Sequence, residues 1–146
     1  MDELDKLLKR LKNLDARARV GALDPENAQK LAYAEFGTKT SPARPVLSAT
    51  TNKYKESLGA LLKKKLQGVI DGKNHTGEEI LQDVGEDLVE LVQEEMDAGF
   101  GAPLDPETAQ SRRRRGVPAP QPLVDSGDLR ASIKVETKDN LGDWED

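Results

Sequence analysis

Two long stretches of the chain repeat apolar residues at helical spacing, and they constrain the fold more than any other feature. The first, residues 46–70, stops before Gly72; the second, residues 76–98, opens on Thr76 with Glu79 three positions later. That pair is a capping-box sequence, which satisfies free N–H groups at a helix start. We therefore predict two long helices joined by a short turn. Their predicted inward-facing residues are Leu47, Tyr54, Leu58, Leu61, Leu62, Leu66 and Val69, then Ile80, Leu81, Val84, Leu88, Leu91 and Val92.

Shorter elements precede these helices. Five leucines near the start fall on one helical stripe: Leu4, Leu7, Leu8, Leu11 and Leu14. The stripe predicts an amphipathic helix over residues 3–14, which needs a cover for its leucines. Residues 16–22 alternate as a short strand. Asp24 and Pro25 then open a helix as N-cap and first helical residue, and Gly37 closes it because glycine tolerates positive φ.

The last third of the chain is loop-rich. Residues 99–122 hold five of the eight prolines and predict a mobile Pro/Arg-rich loop with one short helix at about 106–112. Ser126 and Gly127 predict a cap before a short helical turn, and residues 132–137 alternate as a strand.

These elements together predict the α+β class. We expect a single domain over residues 1–146, with a small mixed or antiparallel sheet that contains residues 16–22 and 132–137. Two long helices and several shorter ones pack on that sheet. The polar residues 138–146 predict a frayed acidic tail.

Composition limits both the core and the chemistry. Only 36% of residues are hydrophobic and 3% aromatic, so we expect a thin core that gains stability from partner contacts. The chain has no cysteine and one histidine, His75, which excludes thiolate sites and multi-histidine metal clusters within one chain. The start MDELDKLLKR is unlike a signal peptide, and no apolar run approaches the roughly 18 residues of a membrane span. A soluble protein made in the cytoplasm is expected.

Charge is divided unevenly along the chain. Residues 1–70 contain 14 Lys/Arg and 8 Asp/Glu, a net of +6, whereas residues 71–146 contain 8 and 19, a net of −11. A basic half and an acidic half favour head-to-tail packing of identical subunits, because surfaces of opposite charge then meet. An ordinary solvated surface explains the same division equally well.

No residue pattern predicts catalysis. Acids such as Glu86 and Glu90 recur on the polar face of the 76–98 helix, which fits a solvated face better than a metal or acid–base site. Ser126 and Ser132 lack a histidine at any recognisable spacing, and His75 lies in a polar turn. We predict no enzyme activity, no catalytic residue, no metal and no cofactor.

Two charged groups predict contacts. Glu94 and Glu95 lie with Asp97 near a helix C-terminus, where the macrodipole disfavours negative charge, so we expect a basic neighbour to face them, with another subunit as a candidate source. A run of four arginines could neutralise DNA phosphates. The chain is acidic overall and lacks a recognisable DNA-binding motif, so an acidic protein partner is favoured for the run. Its members are Arg112, Arg113, Arg114 and Arg115.

Four short motifs follow one another along the chain. EFGT ends an alanine-rich helix and is followed by PARPVL; much later, PLDPETAQSRRRR precedes PLVDSGDLRASI. In this order they resemble the E-F-G-T…P-A-R-P-F-L and P-L-…-T-G-x-L-x-x-S-I signatures of tail-completion and minor tail proteins of long-tailed phages. This family of virion morphogenesis or head–tail joining proteins includes the minor tail protein Z type. The resemblance spans about residues 16–137; Val46 replaces the family's phenylalanine and Ser126 its threonine.

The resemblance implies a structural protein of the phage neck. Copies would form a ring, hexameric by the symmetry of the tail, that completes the head-proximal end of the tail tube and joins it to the head connector. Implied partners are further copies, a tail tube or tail terminator protein, a connector or stopper protein, and DNA passing through the ring. The protein would be made in the host cytoplasm and end in the virion. The alternatives are a DNA-binding regulator that uses the arginine run and a tail assembly chaperone absent from the finished particle.

The EFGT–PARP segment predicts the interface most directly. The residues expected at a subunit or partner interface are Glu35, Phe36, Gly37, Thr38 and Arg44, with Glu94, Glu95 and the arginine run. Pro42 and Pro45 stiffen the segment, and the Arg44 guanidinium can hold a carboxylate with two hydrogen bonds. Glu35 and an acid of the 76–98 helix are the candidate carboxylates. A clamp within the chain and a contact between subunits both fit.

Overall fold

The computed structural model describes residues 2–99, 106–115 and 127–139. Its elements are α1 (Glu3–Lys12), β1 (Ala16–Ala22), α2 (Pro25–Phe36), α3 (Val46–Ile70), α4 (Gly77–Asp97), α5 (Pro106–Arg114), α6 (Asp128–Ser132) and β2 (Ile133–Asp139). β1 and β2 pair as a two-stranded antiparallel sheet. The predicted α+β class, with two long helices and a small sheet, is confirmed.

Three element ends differ from the sequence prediction. α1 stops at Lys12, before Leu14, because the backbone turns at Asn13, its C-cap. α5 continues to Arg114, so most of the arginine run is helical. β2 continues to Asp139, which places the first two residues of the predicted frayed tail in the sheet.

The predicted caps of α2 are present. The Asp24 carboxylate accepts the backbone N–H of Asn27 at 3.0 Å, and Pro25 follows as the first helical residue. This hydrogen bond lowers the pKa of Asp24, since it favours the charged carboxylate. The stabilisation by the charged cap is therefore present above the ordinary pKa of an aspartate and lost as the pH falls through the lowered value. Gly37, at φ 73°, closes the helix with its N–H bonded to the Tyr33 carbonyl at 2.8 Å.

The start of α4 forms half of the predicted capping box. Thr76 Oγ1 accepts the backbone N–H of Glu79 at 3.2 Å. The Glu79 carboxylate lies 3.3 Å from His75 Nδ1 instead of accepting the backbone N–H of Thr76, which would be the second bond of a capping box. At α6, Gly127 is the N-cap with φ 89° and makes no side-chain cap bond, and the predicted cap residue Ser126 lies outside the described residues.

The chain divides into two compact units. The first unit contains Met1–Val20, Tyr54–Asp87 and Val135–Asp146. Val69 and Ile80 are its buried apolar side chains within the described ranges. Its segments approach closely at Gly77, whose N–H donates to the Asn13 carbonyl at 2.8 Å.

The second unit contains Gly21–Lys53 and Leu88–Lys134. α2 packs against α6 within this unit. Its apolar core is formed by Ala22, Leu31, Val46, Val92, Met96 and Ile133. Thr50 is also buried, at 1% exposure. The sequence pattern predicted Val92 but missed Met96 and Thr50, whose burial depends on what packs against α3 and α4. The predicted single domain over residues 1–146 stays a prediction.

α1 is amphipathic, as predicted, but buries none of its residues. Leu4 is 62% exposed, Leu8 48% and Leu11 41%, so this helix presents an apolar stripe to solvent. Acidic side chains in the first turn and basic ones in the last suit the helix dipole and stabilise α1 without tertiary burial. In the described part of the chain, no helix combines the length and hydropathy needed to cross a membrane.

Candidate interaction surface

The EFGT–PARP segment forms a tight corner between α2 and α3. Gly37 occupies positive φ, and a Cβ built on it would lie 2.9 Å from the backbone nitrogen of Ala43 and 3.2 Å from the Ser41 carbonyl oxygen. Backbone atoms cannot move aside as a flexible side chain can, so only glycine fits here. The glycine of the motif is therefore required by the turn geometry itself.

Hydrogen bonds fix the rest of the corner. The hydroxyl of Thr38 accepts the backbone N–H groups of Thr40 at 3.3 Å and Ser41 at 3.1 Å, and the Thr38 N–H donates to the Ser41 carbonyl at 3.0 Å. The Arg44 N–H donates to the Ala34 carbonyl at 2.6 Å, which ties the chain after the turn back onto α2.

Glu35 joins the two helices directly. Its Oε1 accepts the backbone N–H of Leu47 at 2.6 Å, and its Oε2 accepts the Ser48 hydroxyl at 2.8 Å. α3 has no acidic residue in its own first turn, so the carboxylate at the positive end of its dipole comes from α2. The two carboxylate oxygens thus serve a helix cap within the chain. The role expected for the Arg44 side chain, holding a carboxylate, stays a prediction.

This capping carboxylate leads to a stability prediction. We expect Glu35→Ala to lower the free energy of unfolding by about 1–2 kcal/mol, because it removes both bonds to the start of α3. Urea unfolding measures the change. Glu56→Ala is the control, because Glu56 is an exposed acid on α3, the helix that Glu35 caps. We expect this substitution to change the free energy of unfolding by less than about 0.5 kcal/mol. Equal effects of the two substitutions would contradict the capping role.

An aromatic surface lies beside the corner. Phe36 is 85% exposed and Tyr33, one helical turn earlier, is 53% exposed. Side chains three residues apart share one face of a helix, so the two rings form one apolar patch. The Tyr33 hydroxyl accepts the Gln29 amide at 2.8 Å, which holds that ring in place. The corner is rigid and presents aromatic surface to solvent.

The acids at the end of α4 have basic neighbours in their own chain. Glu95 pairs with Lys53 at 2.7 Å, and Asp97 pairs with Arg130 at 2.8 Å. The hydrogen bond to Asp97 raises the pKa of Arg130, which keeps the guanidinium charged. The basic neighbours predicted from the helix dipole are therefore supplied within the chain for these two acids, while Glu94 is exposed. A role of Glu94 and Glu95 between subunits stays a prediction.

The arginine run belongs to the end of α5 rather than to a loop. Arg113 and Arg114 are in its last turn and Arg115 follows it; all three are exposed. Cations at a helix C-terminus interact favourably with the macrodipole, so the run stabilises α5 even without a partner. Consecutive helical residues point in different directions, so the run does not form one flat basic face.

A cavity in the first unit was not foreseen from the sequence. It measures about 460 Å³ and lies between the end of α3 and the start of α4. Its lining combines apolar residues with lysines of α3 and of the connecting turn, and with the acids Glu79 and Asp83 of α4. The one feature of the sequence that could have indicated this cavity is the Lys63–Lys65 run. Lys64 and Lys65 of that run line the cavity, together with Lys73 of the connecting turn.

Within residues 2–99, 106–115 and 127–139, no group of three or more His, Cys, Asp or Glu side chains is arranged to hold a metal ion. Comparison with known proteins adds no relative: no protein-family model, curated protein or solved structure matches the chain.

Proposed function

We propose that the chain is a structural protein of the phage neck. Copies form a ring at the head-proximal end of the tail tube, complete the tail and join it to the head connector. The action is mechanical, through surface burial between subunits and neighbours. The observation that carries the proposal is the corner between α2 and α3, where the EFGT–PARP motif is a locked turn with Phe36 exposed beside it.

The geometry of the corner supports an assembly role. A rigid surface loses little conformational entropy when a partner covers it, so its exposed apolar area contributes efficiently to binding. Aromatic residues are frequent anchors of protein interfaces. The side chains of Glu35 and Thr38 form hydrogen bonds within the corner, and the backbone of Gly37 makes the turn. Phe36 is the residue of the EFGT motif whose side chain is exposed and available to a partner.

The uncovered leucines of α1 support the same proposal. Leu4, Leu8 and Leu11 follow one another at intervals of about one helical turn and expose two-fifths or more of their surface. This apolar surface is separate in sequence from the corner and offers one copy a further surface for contact with a neighbour. A head-to-tail ring uses two non-identical surfaces of each subunit.

Substitution of Phe36 tests the proposal. We expect Phe36→Asp to leave folding intact, because the side chain is exposed, and to weaken each subunit contact by about tenfold or more, since interface aromatics commonly contribute ~2 kcal/mol. Native mass spectrometry, with and without the tail tube protein, measures the fraction of rings. Ile70→Asp is the matched control, because Ile70 is also exposed, at 47%, but lies at the end of α3.

Four outcomes would count against the proposal. A chain that stays monomeric with and without the tube opposes the ring. Equal loss of assembly in Phe36→Asp and Ile70→Asp opposes the corner as the contact. Absence of the chain from purified virions identifies a tail assembly chaperone. Salt-sensitive DNA retention that is lost when all four arginines of the run, residues 112–115, become alanine identifies a DNA-binding regulator.

A further inference from the structure

The exposed stripe of α1 has the spacing of a surface that packs on another helix. Leu4, Leu8 and Leu11 recur at intervals of four and three residues and are all exposed. Side chains at these intervals share one face of a helix. The same alternation of four and three residues lets the side chains of two paired helices interlock. The stripe therefore fits a second helix with a similar leucine repeat.

The charges along α1 indicate which helix that is. Its first turn carries the acids Glu3 and Asp5, and its last turn carries the bases Lys9, Arg10 and Lys12. Two copies of α1 in parallel would bring like charges together at both ends. In antiparallel orientation, the acidic end of each copy lies beside the basic end of the other, and the helix dipoles also oppose each other favourably. Charge complementarity therefore favours a second copy of α1, in antiparallel orientation.

One pair of charges borders the stripe directly. Asp5 and Lys12 each follow an exposed leucine by one position, and an α-helix drifts by only about 20° over the seven residues between them. They therefore lie on the same side of the stripe. Both side chains are exposed, and neither charged group has an ion pair within the ranges that the structure describes. Each is available to a charge on another molecule.

The leucines and the charges agree on one register. If Leu8 lies opposite Leu8 of the second copy, Leu4 and Leu11 of the two copies are offset by one residue, which is about 1.5 Å of helix rise. Asp5 and Lys12 of the two copies are offset by the same amount. In antiparallel helix pairs the same flank of each helix meets, so these two charges face each other on both sides of the axis.

We propose that α1 pairs with α1 of a second copy in antiparallel orientation. Leu8 lies at the two-fold axis, Leu4 packs on the second copy's Leu11, and Asp5 pairs with the second copy's Lys12. Such a contact uses the same surface on both copies, so it joins copies two at a time. It goes beyond the proposed neck function and does not rest on it, because a ring contact uses other surfaces.

A membrane surface is the other occupant that an amphipathic helix suggests. Helices that lie on anionic membranes carry lysine and arginine along their polar face. In α1 the first turn is acidic, and Asp5 borders the stripe where lipid headgroups would lie. This carboxylate opposes an anionic membrane and favours a protein partner with a basic group at that position.

Exchange of the two charges tests the pair. Analytical ultracentrifugation of the full chain measures the dissociation constant, with Phe36→Asp in every variant so that contacts through the corner do not contribute. We expect Asp5→Lys and Lys12→Asp each to raise the dissociation constant about tenfold, because two attractive contacts become repulsive. An equimolar mixture of the two variants should pair again, since the mixed pair regains both attractive contacts.

Lys9→Asp is the matched control for Lys12→Asp. Lys9 is exposed in the same last turn, so its reversal has a similar effect on the helix dipole, but it lies on the side of the helix away from the stripe. We expect this variant to change the dissociation constant by less than about twofold. Equal weakening by the two reversals overturns the contact between Asp5 and Lys12.

Single cysteines test the orientation, since the chain has no cysteine of its own. Under mild oxidation we expect Leu8→Cys to form a disulfide-linked dimer. Leu4→Cys should not, because the two copies of this position lie about 12 Å apart along the axis, beyond the ~7 Å reach of a disulfide. A mixture of Leu4→Cys and Leu11→Cys should form the mixed dimer.

Three results would overturn the pair. The first is a Phe36→Asp chain that stays monomeric at all concentrations, and the second is self-linkage of Leu4→Cys as strong as that of Leu8→Cys, which indicates parallel helices. The third is cosedimentation of the monomeric chain with phosphatidylglycerol vesicles, without a Leu8→Cys dimer, which assigns the stripe to a membrane. A Leu8→Cys dimer from a chain that forms no ring supports the pair and counts against the neck function.

Discussion

Replacing Gly77 with alanine is expected to lower the free energy of unfolding by about 1–3 kcal/mol, the range found when a well-packed site is overfilled. An added Cβ would lie 2.6 Å from the carbonyl carbon of Leu14 and closer still to its oxygen. These are backbone atoms, so no rotamer change relieves the clash. The bond from the Gly77 N–H to the Asn13 carbonyl holds the two segments together and must lengthen when they separate.

Gly59→Ala is the control for this substitution. Gly59 lies within α3, and an added Cβ there would meet nothing within 4 Å. We expect this change to stabilise the protein by about 0.5–1 kcal/mol, because alanine loses less backbone entropy in a helix. Urea unfolding of both variants measures the contrast. Stabilisation by Gly77→Ala would show that the loop after α1 does not pack on the start of α4.

Truncation of Met96 is expected to have the other large effect. Met96 is fully buried and is the largest such side chain in the described residues. We expect Met96→Ala to cost about 2–5 kcal/mol, through lost transfer free energy and the cavity left behind. For a thin core this is a large share of total stability, so we expect a marginally folded variant.

Met96→Leu separates the loss of volume from the loss of the thioether. It preserves most of the volume and is expected to cost less than about 1.5 kcal/mol. Thermal unfolding followed by circular dichroism, with urea unfolding as a second measure, gives both values. A cost below about 0.5 kcal/mol for Met96→Ala would contradict the burial of this side chain in the second unit.

Local signals in the sequence were sufficient to predict much of the fold. The limits of α2 follow from Asp24, Pro25 and Gly37, because a cap or a positive φ acts within a few residues. The limits of α3 also follow from local patterns, whereas the sequence left open whether the small sheet is mixed or antiparallel. The end of α1 does not follow from such patterns: the leucine stripe extends to Leu14, whereas the helix ends at Lys12.

The details of the candidate sites required the tertiary structure. Glu35 caps a helix that begins 11 residues later, and no pattern in the sequence distinguishes it from an acid that holds Arg44. The cavity depends on a turn that carries Lys73 back over Gly68. Periodicity predicted the apolar stripe of α1, but it does not reveal whether a neighbour covers that stripe.

The bond from Glu35 to the start of α3 also makes two helix ends cooperative. Unwinding the last turn of α2 would remove the Glu35 carboxylate from Leu47 and Ser48. Fraying of the first turn of α3 would leave the same carboxylate without these two hydrogen-bond donors. Local opening of either end therefore entails opening of the other. A partner seated on Phe36 would suppress both opening events at once, and hydrogen exchange at the first turn of α3 would slow although the partner does not touch it.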